Sequence, residues 1–299
     1  MIFTDFMELI GRTPCVLYRP GETTRARIWV KLEGFNPTGS IKDRASVFNI
    51  KGAIEDGSMQ PGRTLLDASS GNMACSIAYY GAILGYPVTV VCSSKLTSDK
   101  AQFIRYFGGR LEEIGDFTIE GSRHCRDVIM AAEPERYVFL DQLHNWNNPR
   151  AHYETTGPEI LADFPEVQAV AGSLGSGGTM NGIARYIKEH RPAAKIITVE
   201  AAKGTKIPGT GAFQDGDYVT PFIEELLQKK WVDDRREVTL AQAQKRTLEL
   251  ARQGFFVGVQ TGGVVESAVR AVVEQGICGD VVAISGDAGW KNMDKLVAL

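Results

Sequence analysis

Lys42 is the side chain in this sequence that is best placed for covalent chemistry. It lies in the segment NPTGSIKDR at residues 36–44, where a turn-forming string leads into a predicted helix. With Ser40 as N-cap and Asp43 as its capping-box partner, Lys42 would be the second residue of that helix. The positive end of the helix dipole disfavours the ammonium form, and a neutral lysine amine can form a Schiff base with a carbonyl compound. The alternative is a solvated surface lysine.

A glycine-rich loop farther along the chain could bind a phosphate. Residues 175–179 (GSGGT) lie between a predicted strand and a predicted helix, so their backbone N–H groups and the helix N-terminus could converge on an anion. Ser176 and Thr179 could add hydroxyl donors. With Glu200 ending the next predicted strand, the same glycines partly match a dinucleotide-binding fingerprint, although Met180 stands where its third glycine is expected. An ordinary glycine turn is a further alternative.

Four motifs, in this order along the chain, resemble those of one enzyme family. Residues 31–44 (KLEGFNPTGSIKDR) resemble the pyridoxal phosphate lysine motif of the cysteine synthase family. Residues 69–72 (SSGN) are similar to its loop for the substrate carboxylate, residues 141–142 (DQ) to its second substrate contact, and residues 175–179 to its phosphate loop. The chain is therefore identified as a member of this family, and its overall pattern looks like that of the B-type isozymes.

The resemblance implies a role for each matching residue. Pyridoxal 5'-phosphate would be bound covalently by Lys42, and Asn72 would hydrogen-bond the oxygen of its ring. The phosphate would be bound by Gly175, Ser176, Gly177, Gly178 and Thr179. The amino-acid substrate would contact Ser69, Ser70, Gly71, Met73 and Gln142. The pyridine nitrogen would face Gln260 and Thr261.

The sequence departs from the family pattern in three places along the chain. Met73 replaces the threonine that follows the loop asparagine, which removes a hydroxyl that would face the substrate. Gln260 and Thr261 replace a Ser-Ser pair near the pyridine nitrogen. Either side chain could donate a neutral hydrogen bond, which leaves the ring nitrogen mostly unprotonated and favours β-elimination over transamination or racemisation. The segment after Gly209 lacks an arginine that B-type sequences carry, so the use of thiosulfate is left open.

The reaction implied by the resemblance is a β-substitution. An O-activated L-serine, with O-acetyl-L-serine as the expected form, would lose its α-proton to Lys42 and then its β-leaving group. Sulfide or a related nucleophile would add to the aminoacrylate, giving L-cysteine or another β-substituted alanine. Cystathionine β-synthase or serine/threonine dehydratase activity would use the same lysine and loops. A nicotinamide-binding Rossmann protein and a catalytically silent paralogue are the alternatives without this chemistry.

Alternating short β-branched runs and longer helical patterns must position these residues. They predict an α/β fold of two open, mostly parallel twisted sheets with helices on both faces, which the resemblance identifies as fold type II of the pyridoxal phosphate enzymes. Residues 257–259 are a predicted strand, 41–56 and 262–274 are predicted helices, and 203–236 are interpreted as a loop over the site. The resemblance implies a smaller mobile domain at 35–144 and a larger domain of 1–34 plus 145–299.

Composition narrows the classes of function. The 299 residues are 43% hydrophobic and carry a net charge of -3, so neither nucleic acid nor an anionic membrane surface is an expected partner. The five cysteines are scattered, without metal-ligand spacing, and are interpreted as reduced packing residues of a cytoplasmic enzyme. The expected partners are a small amino-acid substrate and its sulfur or other nucleophile. The resemblance also implies that the protein forms a homodimer.

Overall fold

The computed structural model describes residues 2–22 and 24–296. Within them the chain is an α/β protein whose strands form two mostly parallel sheets, one of six strands and one of four. The chain forms two compact units: the larger comprises the chain up to Ile41 and from Ala151 onward, and the smaller comprises Lys42–Arg150. The predicted fold class is confirmed.

The strands and helices alternate along most of the chain. The strands are β1 (Cys15–Tyr18), β2 (Ala26–Leu32), β3 (Thr64–Ala68), β4 (Val88–Cys92), β5 (Arg110–Glu113), β6 (Tyr137–Phe139), β7 (Ala169–Ser173), β8 (Lys195–Ala201), β9 (Asp234–Val238) and β10 (Gly279–Ser285). The helices are α1 (Lys42–Glu55), α2 (Asn72–Leu84), α3 (Ser98–Tyr106), α4 (Thr118–His124), α5 (Met130–Ala132), α6 (Asn147–Ala151), α7 (Gly157–Asp163), α8 (Gly178–His190), α9 (Pro221–Gln228), α10 (Leu240–Ala251), α11 (Val259–Gln275) and α12 (Met293–Leu296). Across the described residues, none of these helices is long and apolar enough to span a bilayer.

The larger unit contains the six-stranded sheet, in the order β1-β2-β10-β7-β8-β9. The β1–β2 pair is antiparallel and the other pairs are parallel. Side chains of β10 alternate between two cores: Val281 and Ala283 pack with apolar residues of α11, and Val282 and Ile284 pack with those of α8. A strand buried on both faces needs this continuous apolar run, because helices cover each side of the sheet.

The smaller unit contains the four-stranded sheet, in the order β5-β4-β3-β6, with all pairs parallel. Every residue of β4 is buried. One face of the sheet packs with Cys125, which follows α4. The helix α2 packs against β3 and β4. This arrangement fixes the position at which the chain leaves the carboxyl end of β3 and enters α2.

Three predictions about the elements are wrong. The first helix begins at Lys42, which is therefore its first residue and not its second. Residues 257–259 are not a strand, because Val257 makes an isolated bridge with Ala288 and α11 begins at Val259. A short apolar run does not distinguish a strand from the start of a buried helix. Residues 203–236 are not one loop, since they contain α9 and the start of the charged edge strand β9.

Close packing of α10 against α11 leads to a stability prediction at Gly262. A Cβ at this position would overlap the side chain of Thr247 and the backbone oxygen of Ala243. We expect Gly262→Ala to lower the free energy of unfolding by roughly 2–3 kcal/mol, because overpacking outweighs the gain in helix propensity. The adjacent Gly263→Ala is a matched control, since the nearest atom to its Cβ would be the side-chain methyl Val238 Cγ1, at 3.1 Å, and no backbone atom would be overlapped. Urea unfolding of the two variants should show a clearly lower midpoint for Gly262→Ala, and equal midpoints would contradict this packing.

Candidate active site

The predicted site residues fall into two groups, one in each unit. The smaller unit carries Lys42, residues 69–73 and Gln142. The larger unit carries residues 175–179 and 260–261. The loops 69–73 and 175–179 both follow the carboxyl ends of parallel strands, which is the edge of an open α/β sheet where ligands bind.

Lys42 combines a well-defined backbone position with a reduced affinity for protons. It is the first residue of α1 and is partly buried. Burial lowers the pKa of the Lys42 amine, while the charge of Asp67 acts in the opposite direction. The positive end of the α1 dipole also disfavours the ammonium form. The neighbouring Asp43 accepts a hydrogen bond of 2.6 Å from Ser76 Oγ, which ties the start of α1 to α2.

The loop between β3 and α2 is held by its own side chains. Gly71 N donates to Ser69 Oγ at 3.2 Å, and Gly71 is the N-cap of α2. Ser70 Oγ accepts the backbone N–H of Ser93 at 2.6 Å and lies 2.8 Å from Ser93 Oγ. Ser70 therefore anchors the loop to the end of β4. Asn72 begins α2, so the N-terminal N–H groups of this helix are available to an anion beside the loop.

Met73 and Gln142 are both buried in the smaller unit. The Met73 side chain is 2% exposed, at the second residue of α2. Gln142 follows Asp141, whose φ is 45°, and its Nε2 donates to Ala68 O at 2.7 Å. Asn148 Nδ2 in turn donates to Gln142 O at 2.9 Å. The structure thus places Gln142, the predicted substrate contact, against Ala68, the strand residue that precedes loop 69–73.

The glycine loop of the larger unit has a backbone that larger residues would disrupt. Gly177 is the N-cap of α8 and has a φ of 83°, a left-handed conformation that favours glycine. A Cβ at Gly175 would lie 2.8 Å from Gly209 O, and one at Gly177 would overlap Ile223. Thr220 Oγ1 supports the loop by donating to Ser176 O at 2.6 Å. The loop therefore has no room for a side chain at Gly175 or Gly177, directly before the first turn of a helix of 13 residues.

A buried histidine contacts the last residue of this loop. Thr179 Oγ1 lies 3.2 Å from His152 Nε2, and His152 Nδ1 lies 2.9 Å from Thr156 Oγ1. His152 is fully buried. The two hydroxyls hold the imidazole between them, so His152 orients the Thr179 hydroxyl at the start of α8.

Gln260 and Thr261 lie at the start of α11 and differ in their contacts. Gln260 Nε2 donates to Ser173 Oγ and to Gly209 O, each at 2.6 Å. Thr261 Oγ1 lies 2.9 Å from Ser285 Oγ, and both residues are fully buried. The Gln260 amide nitrogen is therefore engaged in supporting the segment at Gly209, whereas the Thr261–Ser285 pair supplies two neutral hydroxyls.

Sequence reasoning missed several residues at these two sites. Ser173 and Ser285 are the last residues of β7 and β10, so a rule that polar residues at the carboxyl ends of buried parallel strands line a site could have found them. His152 offers no such local signal, because its contact with Thr179 joins residues that are 27 positions apart. Asp67 lies near the end of β3, two residues before Ser69, and an acidic residue that follows two leucines in a strand was a usable signal.

The residues of each unit, taken separately, suit one part of a group that carries an aldehyde and a phosphate. Lys42 offers an amine whose pKa is lowered by burial, as attack on a carbonyl carbon requires. Residues 175–179 offer a glycine-rich loop at the positive end of α8, where a phosphate could bind, and a Cβ at Gly175 would crowd Gly209 O. The hydroxyls of Thr261 and Ser285 are neutral, which suits an uncharged pyridine nitrogen.

Comparisons of sequence and of fold place this chain among known proteins. The family model for pyridoxal-phosphate dependent enzymes matches residues 6–286. Cysteine synthase B of Salmonella typhimurium is 33% identical over 267 residues, which cover 88% of this chain and 86% of that protein. The crystal structure of O-ureido-L-serine synthase superimposes with a TM-score of 0.90 at 25% identity, covering 99% of this chain and 95% of that one. Cysteine synthase of Entamoeba histolytica gives a TM-score of 0.88 at 26% identity, covering 100% and 92%.

Proposed function

This chain belongs to the pyridoxal-phosphate-dependent enzymes of the cysteine synthase family, and from that membership we propose that it catalyses β-substitution on an O-activated L-serine. The expected substrate is O-acetyl-L-serine, and the expected product is L-cysteine or another β-substituted alanine. The observation that carries this proposal is the amine of Lys42, which lies at the first residue of a helix and whose pKa is lowered by burial. Such an amine can act both as a nucleophile and as a base near neutral pH.

Each unit would supply different residues for the proposed reaction. When bound, pyridoxal 5'-phosphate supplies an aldehyde carbon for a lysine amine and an electron sink for the substrate. Lys42 would hold the group and take the α-proton of the substrate at Nζ. Residues 175–179 would bind the phosphate, and Asn72 would hydrogen-bond the ring oxygen. Ser69, Gly71 and Gln142 would orient the substrate carboxylate through donors near the start of α2.

The partner of the pyridine nitrogen would be neutral. The proposal for this position retains Gln260 and Thr261 and adds Ser285, since Thr261 and Ser285 form a buried hydroxyl pair. A hydroxyl donor leaves the ring nitrogen largely unprotonated, which supports elimination of a β-substituent and limits transamination. Ser70 retains a proposed role beside the substrate through its loop, although its hydroxyl oxygen already accepts the Ser93 N–H.

Product analysis separates the proposed function from its alternatives. Purified protein would be supplied with O-acetyl-L-serine and sulfide, with L-serine and homocysteine, and with L-serine or L-threonine alone. Cysteine from the first mixture supports the proposal; cystathionine from the second or a keto acid from the third would support the other lysine-dependent reactions. A protein that stays colourless after addition of pyridoxal phosphate would contradict all three.

A second candidate function for the same site is β-substitution with a nucleophile other than sulfide. The TM-score of 0.90 to O-ureido-L-serine synthase supports this second function. The product in that protein's name is a β-substituted alanine whose β-carbon is bonded to oxygen. The buried thioether at Met73, where the family has a hydroxyl, also supports a changed preference. Competition between sulfide and hydroxyurea, followed by mass spectrometry of the products, tests this candidate.

Assembly, location and domain motion are further parts of the proposal. Three large apolar side chains on the larger unit, Phe35, Phe256 and Trp290, are 68%, 55% and 46% exposed and line one cavity of roughly 390 Å³. Exposed apolar patches of this kind often mark an interface, which supports a homodimer. The free thiols of all five cysteines support a cytoplasmic location. The smaller unit, Lys42–Arg150, would be the mobile domain expected at 35–144.

A further inference from the structure

His152 is a buried imidazole that contacts a threonine hydroxyl at each of its two ring nitrogens. His152 Nδ1 lies 2.9 Å from Thr156 Oγ1, and His152 Nε2 lies 3.2 Å from Thr179 Oγ1. His152 and Thr156 are fully buried at the two ends of one π-helical turn. Thr179 is the second residue of α8 and the last residue of the glycine loop. All three residues belong to the larger unit, so these contacts connect a buried turn to the proposed phosphate site within one packed body.

The direction of the two hydrogen bonds depends on the position of one proton. A neutral imidazole has one N–H donor and one acceptor nitrogen, whereas a hydroxyl can donate one proton and also accept. With the proton on Nδ1, the ring donates to Thr156, and Thr179 must donate its own proton to Nε2. With the proton on Nε2, Thr156 donates to Nδ1 and the ring donates to Thr179 Oγ1. Of these two neutral arrangements, only the second leaves the Thr179 proton available to another acceptor.

The start of α8 favours the second arrangement when an anion is bound there. The N–H groups in the first turn of a helix point out of its N-terminus and can bind an anion. A phosphate accepts hydrogen bonds, so it gains from a Thr179 hydroxyl that donates and is repelled by one that presents only lone pairs. A doubly protonated ring would also free the Thr179 proton, but it would place a full charge in the interior of the unit, which costs more than the neutral tautomer.

The Thr156 hydroxyl can supply the proton that Nδ1 needs. Its neighbour Thr155 donates to Ala151 O at 2.5 Å, the backbone acceptor that a helical threonine commonly finds four residues earlier. Thr156 Oγ1 instead lies against the ring of the residue four positions earlier, within hydrogen-bond distance of Nδ1. The oxygen His152 O accepts the backbone N–H of Gly157. The turn therefore sets a donor hydroxyl beside one ring nitrogen and the loop hydroxyl beside the other.

We propose that His152 is a positioning residue for cofactor binding: as the tautomer protonated at Nε2, it directs the hydroxyl proton of Thr179 toward the phosphate. The inference rests on the proposed function, which assigns the phosphate to residues 175–179, and it names the group that fixes the polarity of one donor in that loop. His152 acts through Thr179 and not by direct contact with the phosphate. Loss of the ring would therefore weaken binding of a phosphate ester and spare binding of an aldehyde.

The test compares two ligands that share an aldehyde and differ in the phosphate. Pyridoxal phosphate and pyridoxal are each titrated into the full-length protein after removal of its cofactor, and binding is followed by visible absorbance. We expect His152→Leu to bind pyridoxal phosphate about tenfold more weakly than the wild type, the effect of one lost hydrogen bond to a charged group, and to bind pyridoxal within about twofold. His152→Gln carries an amide N–H that can replace Nε2–H and should stay within about threefold of the wild type for both ligands. Equal losses for the two ligands in His152→Leu would show a merely structural role.

A double variant shows whether His152 acts through Thr179. Thr179→Val alone should weaken binding of pyridoxal phosphate by about tenfold, and adding His152→Leu should cause less than about a further twofold loss, because residues that act as a unit are not additive. Multiplied losses, or a Thr179→Val protein with wild-type affinity, would contradict the proposal. His190→Gln is the matched control: this exposed histidine ends the same helix, its Nδ1 lies 2.9 Å from Tyr186 O, and its replacement should leave both affinities unchanged.

Nitrogen-15 NMR of histidine-labelled wild-type protein covers the outcome in which His152→Leu does not fold. The chain has four histidines, and the ring signals of His152 are assigned by their loss in His152→Gln. With pyridoxal phosphate bound, the ring should carry its proton on Nε2 and have an unprotonated Nδ1. A proton on Nδ1, or on both nitrogens, would overturn the proposal. None of these measurements needs substrate or turnover, so failure of the proposed β-substitution would leave their results interpretable.

Discussion

Lys42→Ala is expected to lower the rate of β-substitution by at least about a thousandfold. The variant loses the amine that would bond to the cofactor and the base that would take the α-proton, and proton transfer alone contributes roughly 10²–10⁴-fold in enzymes. Purified Lys42→Ala should also fail to give a borohydride-stable cofactor adduct. In the wild-type protein, the same treatment followed by peptide mapping should place the adduct on the peptide that contains Lys42.

Lys51→Ala is the matched control for this variant. Lys51 lies on the same helix, α1, but its side chain is exposed. Its removal should change the rate by less than about twofold, because an exposed lysine makes only a small contribution to the helix. Activity that survives in Lys42→Ala, or an adduct that maps to another lysine, would show that the amine at the start of α1 is not the reactive one.

Gly177→Ala is expected to weaken cofactor binding by about 10- to 100-fold. The φ of 83° at this position costs a residue with a Cβ about 1–2 kcal/mol, and the new Cβ would also overlap Ile223. Relief of that overlap moves the backbone at the N-terminus of α8, where the phosphate would be bound. Each 1.4 kcal/mol lost from binding corresponds to a tenfold change in affinity. Titration of the cofactor-free protein with pyridoxal phosphate, followed by visible absorbance, measures this change.

The control for the backbone cost is Gly276→Ala. Gly276 caps α11 with a φ of 63°, and a Cβ there would meet no atom within 4 Å. This variant should lose stability by a similar backbone penalty while its cofactor affinity stays within about twofold of the wild type. If both variants lost affinity equally, general destabilisation would explain the effect and the loop at 175–179 would not be the phosphate site.

Strand β4 has an apolar pattern that predicts a strand without reference to the rest of the fold. All five of its residues are apolar or small, and all five are buried. The charged strand β9 was missed, because its place in the sheet depends on pairing with β8. Val257 and Val259 fit a strand locally, yet packing of α11 between the six-stranded sheet and α10 makes Val259 helical.

In the candidate site too, residues whose conformation is set locally could be predicted, whereas contacts between distant segments could not. Lys42 and residues 175–179 could be singled out because their backbone is set by adjacent residues: a turn, a glycine at positive φ and the start of a helix. The hydrogen bond from Gln260 to Ser173 could not be predicted in this way, because it depends on β7 and the start of α11 lying side by side. The contacts of Ser285 with Thr261 and of Asp67 with the N–H of Gln142 depend on packing in the same way.

By itself the sequence determined the α/β class, the family, the lysine and the glycine loop, because each of these is encoded in contiguous residues whose local conformation depends on near neighbours. Tertiary structure alone decided which distant groups meet: Thr261 with Ser285, His152 with Thr179, and Asp67 with the N–H of Gln142. Such contacts depend on the order of strands in each sheet, because parallel pairing brings together strand ends that are far apart along the chain. Burial, which shifts the pKa values of Lys42 and Asp67, is likewise a property of the packed unit and not of any segment.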